Sequence, residues 1–123
     1  MRKQITSHEN AVVGGPFSQA IETDNLVLIS GQIGMNKEGV LESGIEEQTR
    51  MAFINALNIC KEANVDLHNA IKVTVLVSDL NNMPIVNNIY KEYFKEPYPT
   101  RMGYEVSRLP KDSLIEMDFI IQK

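Results

Sequence analysis

Apolar residues recur along the chain with two different periods, and the changes between them mark out its elements. Leu26–Ile29 is a short apolar run closed by Ser30 and Gly31, and it follows the turn-forming Thr23, Asp24 and Asn25. That combination predicts a hairpin with residues 18–22. Ser43 and Glu46 then have capping-box spacing ahead of a stripe formed by Ala52, Ala56, Ile59, Cys60 and Ala63, three and four residues apart. This predicts a helix from Ser43 to about Asn64, with the Ser43 hydroxyl and the Glu46 carboxylate bonded to amides of the first turn.

From Ile71 to Val77 the period falls to two, with Val73, Val75 and Val77 on one face and Lys72, Thr74 and Leu76 on the other. β-branched residues in strict alternation predict a strand. Asn81 and Asn82 open a second predicted helix, with Pro84 in its first turn and Val86, Ile89, Tyr90, Tyr93 and Phe94 on one stripe. Pro97, Tyr98 and Pro99 stop it. Met102–Val106 and Leu114–Ile121 read as strands around a turn at Leu109–Asp112. In the last of them Ile115, Met117, Phe119 and Ile121 share a face while Glu116 and Asp118 point the other way. The predicted order is ββαβαββ, or βββαβαββ if the N-terminal residues also join the sheet.

Two amphipathic helices cover one face of such a sheet, and the opposite face still carries Leu76, Leu114 and Ile120. Self-association is the simplest way to cover it, because most soluble oligomers are symmetric assemblies of one chain.

Composition narrows the function classes. The 123 residues suit a single domain spanning 1–123, with neither internal repeat nor linker. Sixteen acidic against twelve basic side chains give a net charge of −4, and the basic residues are scattered. No basic stripe exists to neutralise phosphates, so no nucleic-acid partner is expected. The N-terminus lacks the apolar run of a signal peptide and no stretch approaches the length of a membrane span. With one cysteine that cannot form an internal disulfide, a cytoplasmic location is expected, without membrane contact.

Most chemistry-bearing residues read as structural. Cys60 lies on the first helix's apolar stripe, His8 and His68 lack metal-ligand spacing, and Gly14–Pro16 reads as a turn. No metal is expected. The exception is the segment from Pro99 to Asp112. If Arg101–Val106 is extended, Arg101, Gly103 and Glu105 share a face, and the glycine leaves an open space beside a guanidinium whose planar fork matches a carboxylate. On spacing alone, an ion pair between Arg101 and Glu105 or a neighbouring strand is the simpler reading.

Here the sequence resembles the Rid family, the reactive intermediate deaminases or YjgF-like proteins, once described as translation inhibitors. The resemblance spans essentially the whole chain. It rests on Glu9–Ala11 leading to Gly15 and Pro16, Gln19, Ile29–Ile33, Val75–Leu80 with Asp79, Asn87, Tyr90, Pro99 with Arg101, Glu105 and Val106, Arg108–Asp112, and Ile115 with Glu116.

The resemblance implies an α+β, chorismate-mutase-like domain with a mixed sheet and two helices on one face, assembled as a homotrimer with intersubunit clefts. It implies hydrolysis of 2-imino acids such as 2-iminopropanoate and 2-iminobutanoate to 2-oxo acids and ammonia, without a cofactor. By matching position Arg101 would hold the substrate carboxylate and Glu116 would position the water. Phe17, Ser30, Gly31, Asn87 and Gly103 would line the cleft. The chain departs from the family pattern at two of these, Gly103 replacing a common cysteine and Phe17 a common tyrosine, which suggests a wider, more apolar cleft. Three other functions stay open. One is a non-catalytic binding module for small carboxylates or oxo acids, another a ribonuclease or translation inhibitor, which the acidic charge disfavours, and the third a chaperone-like role, which leaves no sequence signature.

Overall fold

The βββαβαββ order is the one adopted, because the first residues also pair. The computed structural model describes residues 1–12 and 14–123. Its elements are β1 (Lys3–Ile5), β2 (Ala20–Glu22), β3 (Leu26–Ile33), α1 (Gly44–Ala63), β4 (Ala70–Val77), α2 (Met83–Tyr93), β5 (Thr100–Glu105) and β6 (Ile115–Gln122). The strands form one sheet in the order β1-β2-β3-β6-β4-β5. Every pairing is antiparallel except β4 with β5. The last strand therefore runs between β3 and β4, and β5 is left as an edge.

The β2–β3 turn forms where Thr23, Asp24 and Asn25 predict it. The Thr23 amide donates to the Leu26 carbonyl at 2.8 Å, and the Thr23 hydroxyl accepts from the Leu26 amide at 3.0 Å. Both helices cover one sheet face. Against α1 and α2 lie Val27, Ile29, Val73, Val75, Val77, Ile115, Met117, Phe119 and Ile121, all buried. Phe53 of α1 sits at the centre, stacked on Tyr93 at 4.2 Å between ring centroids and in contact with Tyr90, Phe94 and Phe119. Burial of one such ring contributes about 1.5–3 kcal/mol relative to leaving it in water.

The other face has no helix over it. Leu28, Met102 and Tyr104 are exposed there, and Leu76 and Ile120 are only partly covered.

Two local features differ from the sequence-based expectation. Ser43 has the extended backbone of an N-cap but makes no side-chain capping bond, and Gly44 after it takes a φ of +82°, outside the helical backbone range that a capping box requires of the first turn. Gln48 ties down this end instead: its carboxamide donates to the Glu42 carbonyl and accepts from the Leu114 amide, joining α1 to the start of β6. Phe94 lies just beyond α2 in an extended conformation, yet stays buried on the expected side.

Candidate active site

The segment between β1 and β2 is held by side-chain amides. The Gln19 carboxamide accepts from the Ser7 amide and donates to its carbonyl, while Asn10 donates to the Asn55 carbonyl and accepts from Asn58. This brings Phe17, itself 55% exposed, to the mouth of a cavity of about 490 Å³ lined also by Gly31, Ile33, Met35, Pro110 and Glu116. Gln19 and Asn10 belong to the sequence resemblance, but only the folded chain gives them this anchoring role.

Glu116 enters the cavity from β6. It pairs in register with Ile33 on one side and Leu76 on the other, and alternates with the fully buried Ile115 and Met117. Its carboxylate therefore lies on the sheet face away from the helices. A bulge between Ile29 and Gln32 passes Gly31 directly beside it. Burial pushes the Glu116 carboxyl above the ordinary carboxylate range, and the nearby negative charge of Asp118 adds to the shift. The carboxyl thus holds its proton more tightly than a solvated one would.

Ser30 adjoins this cavity in a groove shared with Phe17 and Asp118. Its hydroxyl donates to the Ser18 carbonyl at 2.6 Å and so ties the approach to β2 against β3.

Arg101 lies elsewhere. In the parallel register it pairs with Val73, which is fully buried under the helices, so Arg101 projects to the helix side of edge strand β5. Its guanidinium carbon stands 4.8 Å from the centroid of the Tyr90 ring, within cation–π range. Arg101 does not pair with Glu105, whose carboxylate accepts from the Leu80 amide at 3.1 Å. Among the described residues no carboxylate lies within 4.0 Å of it. A cavity of about 330 Å³ opens there, lined by Asn87, Tyr90, Lys91, Tyr98, Pro99 and Arg101.

Two polar atoms of residues lining this cavity are buried without a hydrogen-bond partner among the described residues, Oδ1 of Asn87 and the Tyr90 hydroxyl. Such a group costs about 1–3 kcal/mol when left unpaired, and both line the same cavity as an arginine without a carboxylate partner among the described residues. Burial pushes the Tyr90 hydroxyl up to about 12, with the Arg101 charge opposing the shift, so it stays a neutral donor.

The chain thus carries two candidate clusters on opposite faces of one sheet, Phe17, Gly31 and Glu116 in one and Asn87, Tyr90 and Arg101 in the other. Gly103 lies on the Arg101 face, opposite Val75. The open space expected beside it is filled by Met83 of α2, whose Cε would stand 3.2 Å from a β-carbon at position 103.

Outside these clusters, burial pushes the Cys60 thiol up to about 12, consistent with a core residue, and His68 sits in a surface turn capped by Asp66. No three His, Cys, Asp or Glu side chains converge in a metal-binding arrangement among the described residues. No helix is long and apolar enough to cross a membrane.

A mixed α+β sheet with both helices on one face, carrying an unpaired arginine and a half-buried glutamate, defines the class in which the chain is placed. A family profile described as Endoribonuclease L-PSP matches residues 8–123, and the chain belongs to that family, the Rid or YjgF family. It is 44% identical over 126 residues to a RutC family protein of Pyrococcus abyssi, covering 100% of this chain and 99% of that one. It is 39% identical over 122 residues to the 2-iminobutanoate/2-iminopropanoate deaminase of Homo sapiens, covering 98% of this chain and 89% of the relative. The crystal structure of E. coli TdcF with bound serine superposes with a TM-score of 0.92 at 30% identity, covering 98% of each chain.

Proposed function

We propose that this protein hydrolyses small 2-imino acids to 2-oxo acids and ammonia in clefts between copies of the chain, assembled as a trimer. The carrying observation is the separation of the half-sites: Arg101 and Glu116 face opposite sides of one sheet, so a single copy cannot present both to one small substrate. A neighbouring copy set against edge strand β5 supplies the missing half. The uncovered apolar face with Leu28, Met102 and Tyr104 gives such an assembly something to bury. The deaminase name of the human relative and the serine bound by TdcF support an amino-acid-sized ligand bearing a carboxylate.

In this reading Arg101 of one copy grips the carboxylate through its planar fork, beside the unpaired hydroxyl of Tyr90 and carboxamide of Asn87. Glu116 of the neighbouring copy holds a water against the imine carbon. The water oxygen adds to that carbon as the C=N electron pair moves to the protonated nitrogen, and Glu116 takes the water's proton. Passing that proton to the amine of the resulting carbinolamine lets ammonia leave, and Glu116, ionised again, takes the hydroxyl proton as the carbonyl forms. A protonated imine is already electrophilic, so the work is orientation and one proton relay, and no step needs a cofactor.

The test couples the purified protein to a dehydratase that releases imine from an amino acid and follows oxo-acid formation. The expected result is acceleration by the wild type and none by Arg101→Ala. Equal rates for the two would overturn the reading. Retained oxo-acid binding without any acceleration would instead favour a binding module.

A further inference from the structure

The face that carries Arg101 is paired, position by position, with one row of α2. Tyr90 lies over Arg101, and Met83 lies over Gly103. Positions 83, 87 and 90 are four and three residues apart, so Met83, Asn87 and Tyr90 form a single helix row above β5. Because Tyr90 is matched to Arg101 and Met83 to Gly103, the row runs opposite to β5, with Asn87 and its unpartnered Oδ1 between the two ends. This sets a cationic end at Arg101, where the cavity opens, and an apolar end at Gly103, covered by Met83, roughly 7 Å apart along an extended strand.

What closes the apolar end is one flexible side chain. A β-carbon at position 103 would meet Met83 Cε at 3.2 Å, while the nearest Val75 atoms stand back at 3.6 and 4.0 Å. Met83 is only partly buried and packs against the edge of the core. An unbranched thioether with three rotatable bonds adapts to a gap better than any branched side chain. Gly103 therefore provides room beside the guanidinium that Met83 occupies and can give up.

We infer that Met83 is a specificity-determining residue, a movable wall opposite Gly103 that admits unbranched aliphatic 2-imino acids longer than the alanine-sized one by swinging away from β5. This rests on the imine-hydrolase reading for its substrate class. A carboxylate on Arg101 sends the substrate's carbon chain along β5 toward Gly103. The shortest imino acids stop before the Met83 methyl, and longer ones displace it. Substrate length is then set by the helix row and not by β5 alone.

Opposite changes at the two sides of the contact test this. Met83→Ala removes the wall, and Gly103→Ala holds the Met83 methyl in a narrower space from the other side. For wild type and both variants, kcat/KM is measured on imines derived from alanine and norleucine, and binding of unbranched 2-oxo acids of three to six carbons is measured by calorimetry. The expected result is a long-to-short kcat/KM ratio raised about tenfold by Met83→Ala and lowered by a similar factor by Gly103→Ala. The oxo-acid affinities should change in the same sense. Ratios and affinity profiles that stay at the wild-type pattern in both variants would overturn the role of Met83. Absence of imine turnover with an oxo-acid length profile that still shifts as expected would overturn the hydrolase reading and leave the movable wall standing.

Discussion

The Glu116 carboxylate rests where a side chain at position 31 would begin: a β-carbon on Gly31 would stand 2.5 Å from Oε2 of Glu116 and 2.8 Å from its Cδ. The bulge in β3 brings the Gly31 backbone this close, and only a residue without a side chain leaves the carboxylate its place. Position 31 thus fixes where the Glu116 carboxylate rests, and in the proposed mechanism where it holds a water. Gly31→Ala is expected to push the carboxylate aside and lower kcat by about a hundredfold, the scale of a misplacement near 1 Å. Oxo-acid binding should be weakened far less, because Arg101 is untouched. Calorimetry beside steady-state kinetics reads the two separately, and equal losses in both would count against the water-holding role.

The separation of Arg101 and Glu116 makes a subunit-mixing experiment informative. Arg101→Ala and Glu116→Ala should each be inactive alone. Unfolded together in equal amounts and refolded, they should recover about a quarter of wild-type activity, since one cleft in four then draws an intact arginine from one copy and an intact glutamate from its neighbour in a symmetric assembly. Recovery indistinguishable from either variant alone would show that the two residues do not meet across copies.

The pH dependence should follow Glu116. As a proton acceptor it must be ionised, so activity should fall on the acid side through a pKa above the ordinary carboxylate value, raised first by burial and then by Asp118. Asp118→Asn removes the neighbouring charge while keeping an oxygen for the Thr74 amide. The acid limb of the kcat/KM profile should therefore move to lower pH, and an unmoved limb would assign it to another group. The stability effect has the opposite sign to that of an ion-paired carboxylate. Because the folded chain holds the Glu116 proton more tightly than the unfolded one, the stability this group contributes is present at low pH and declines as pH rises through the raised pKa.

Phe53 tests the core. It is fully buried and touches the rings of Tyr90 and Tyr93 on α2, of Phe94 just beyond it and of Phe119 on β6. Phe53→Ala should cost about 3–5 kcal/mol in urea unfolding at fixed protein concentration. A loss below 1 kcal/mol would mean that the surrounding rings collapse into the space.

What the sequence determined by itself was local. Alternation over Ile71–Val77 and Ile115–Ile121 named the buried faces of β4 and β6, the small-residue stripe named the buried face of α1, and Thr23–Asn25 named the first turn. These follow from helix and strand periods, which any short segment displays. The same period put Arg101 and Gly103 on one side of their strand and Glu116 on one side of another. It could not say whether those two sides are the same face of the sheet, because that depends on strand order and on the register of β5 and β6 against β4. Only the tertiary structure decided this, by running β6 through the middle of the sheet and leaving β5 at its edge, so that Arg101 meets Tyr90 while Glu116 meets Gly31 on the far face. It likewise filled the space beside Gly103 with Met83, twenty residues away in sequence and in contact only because α2 packs its Met83–Tyr90 row against β5.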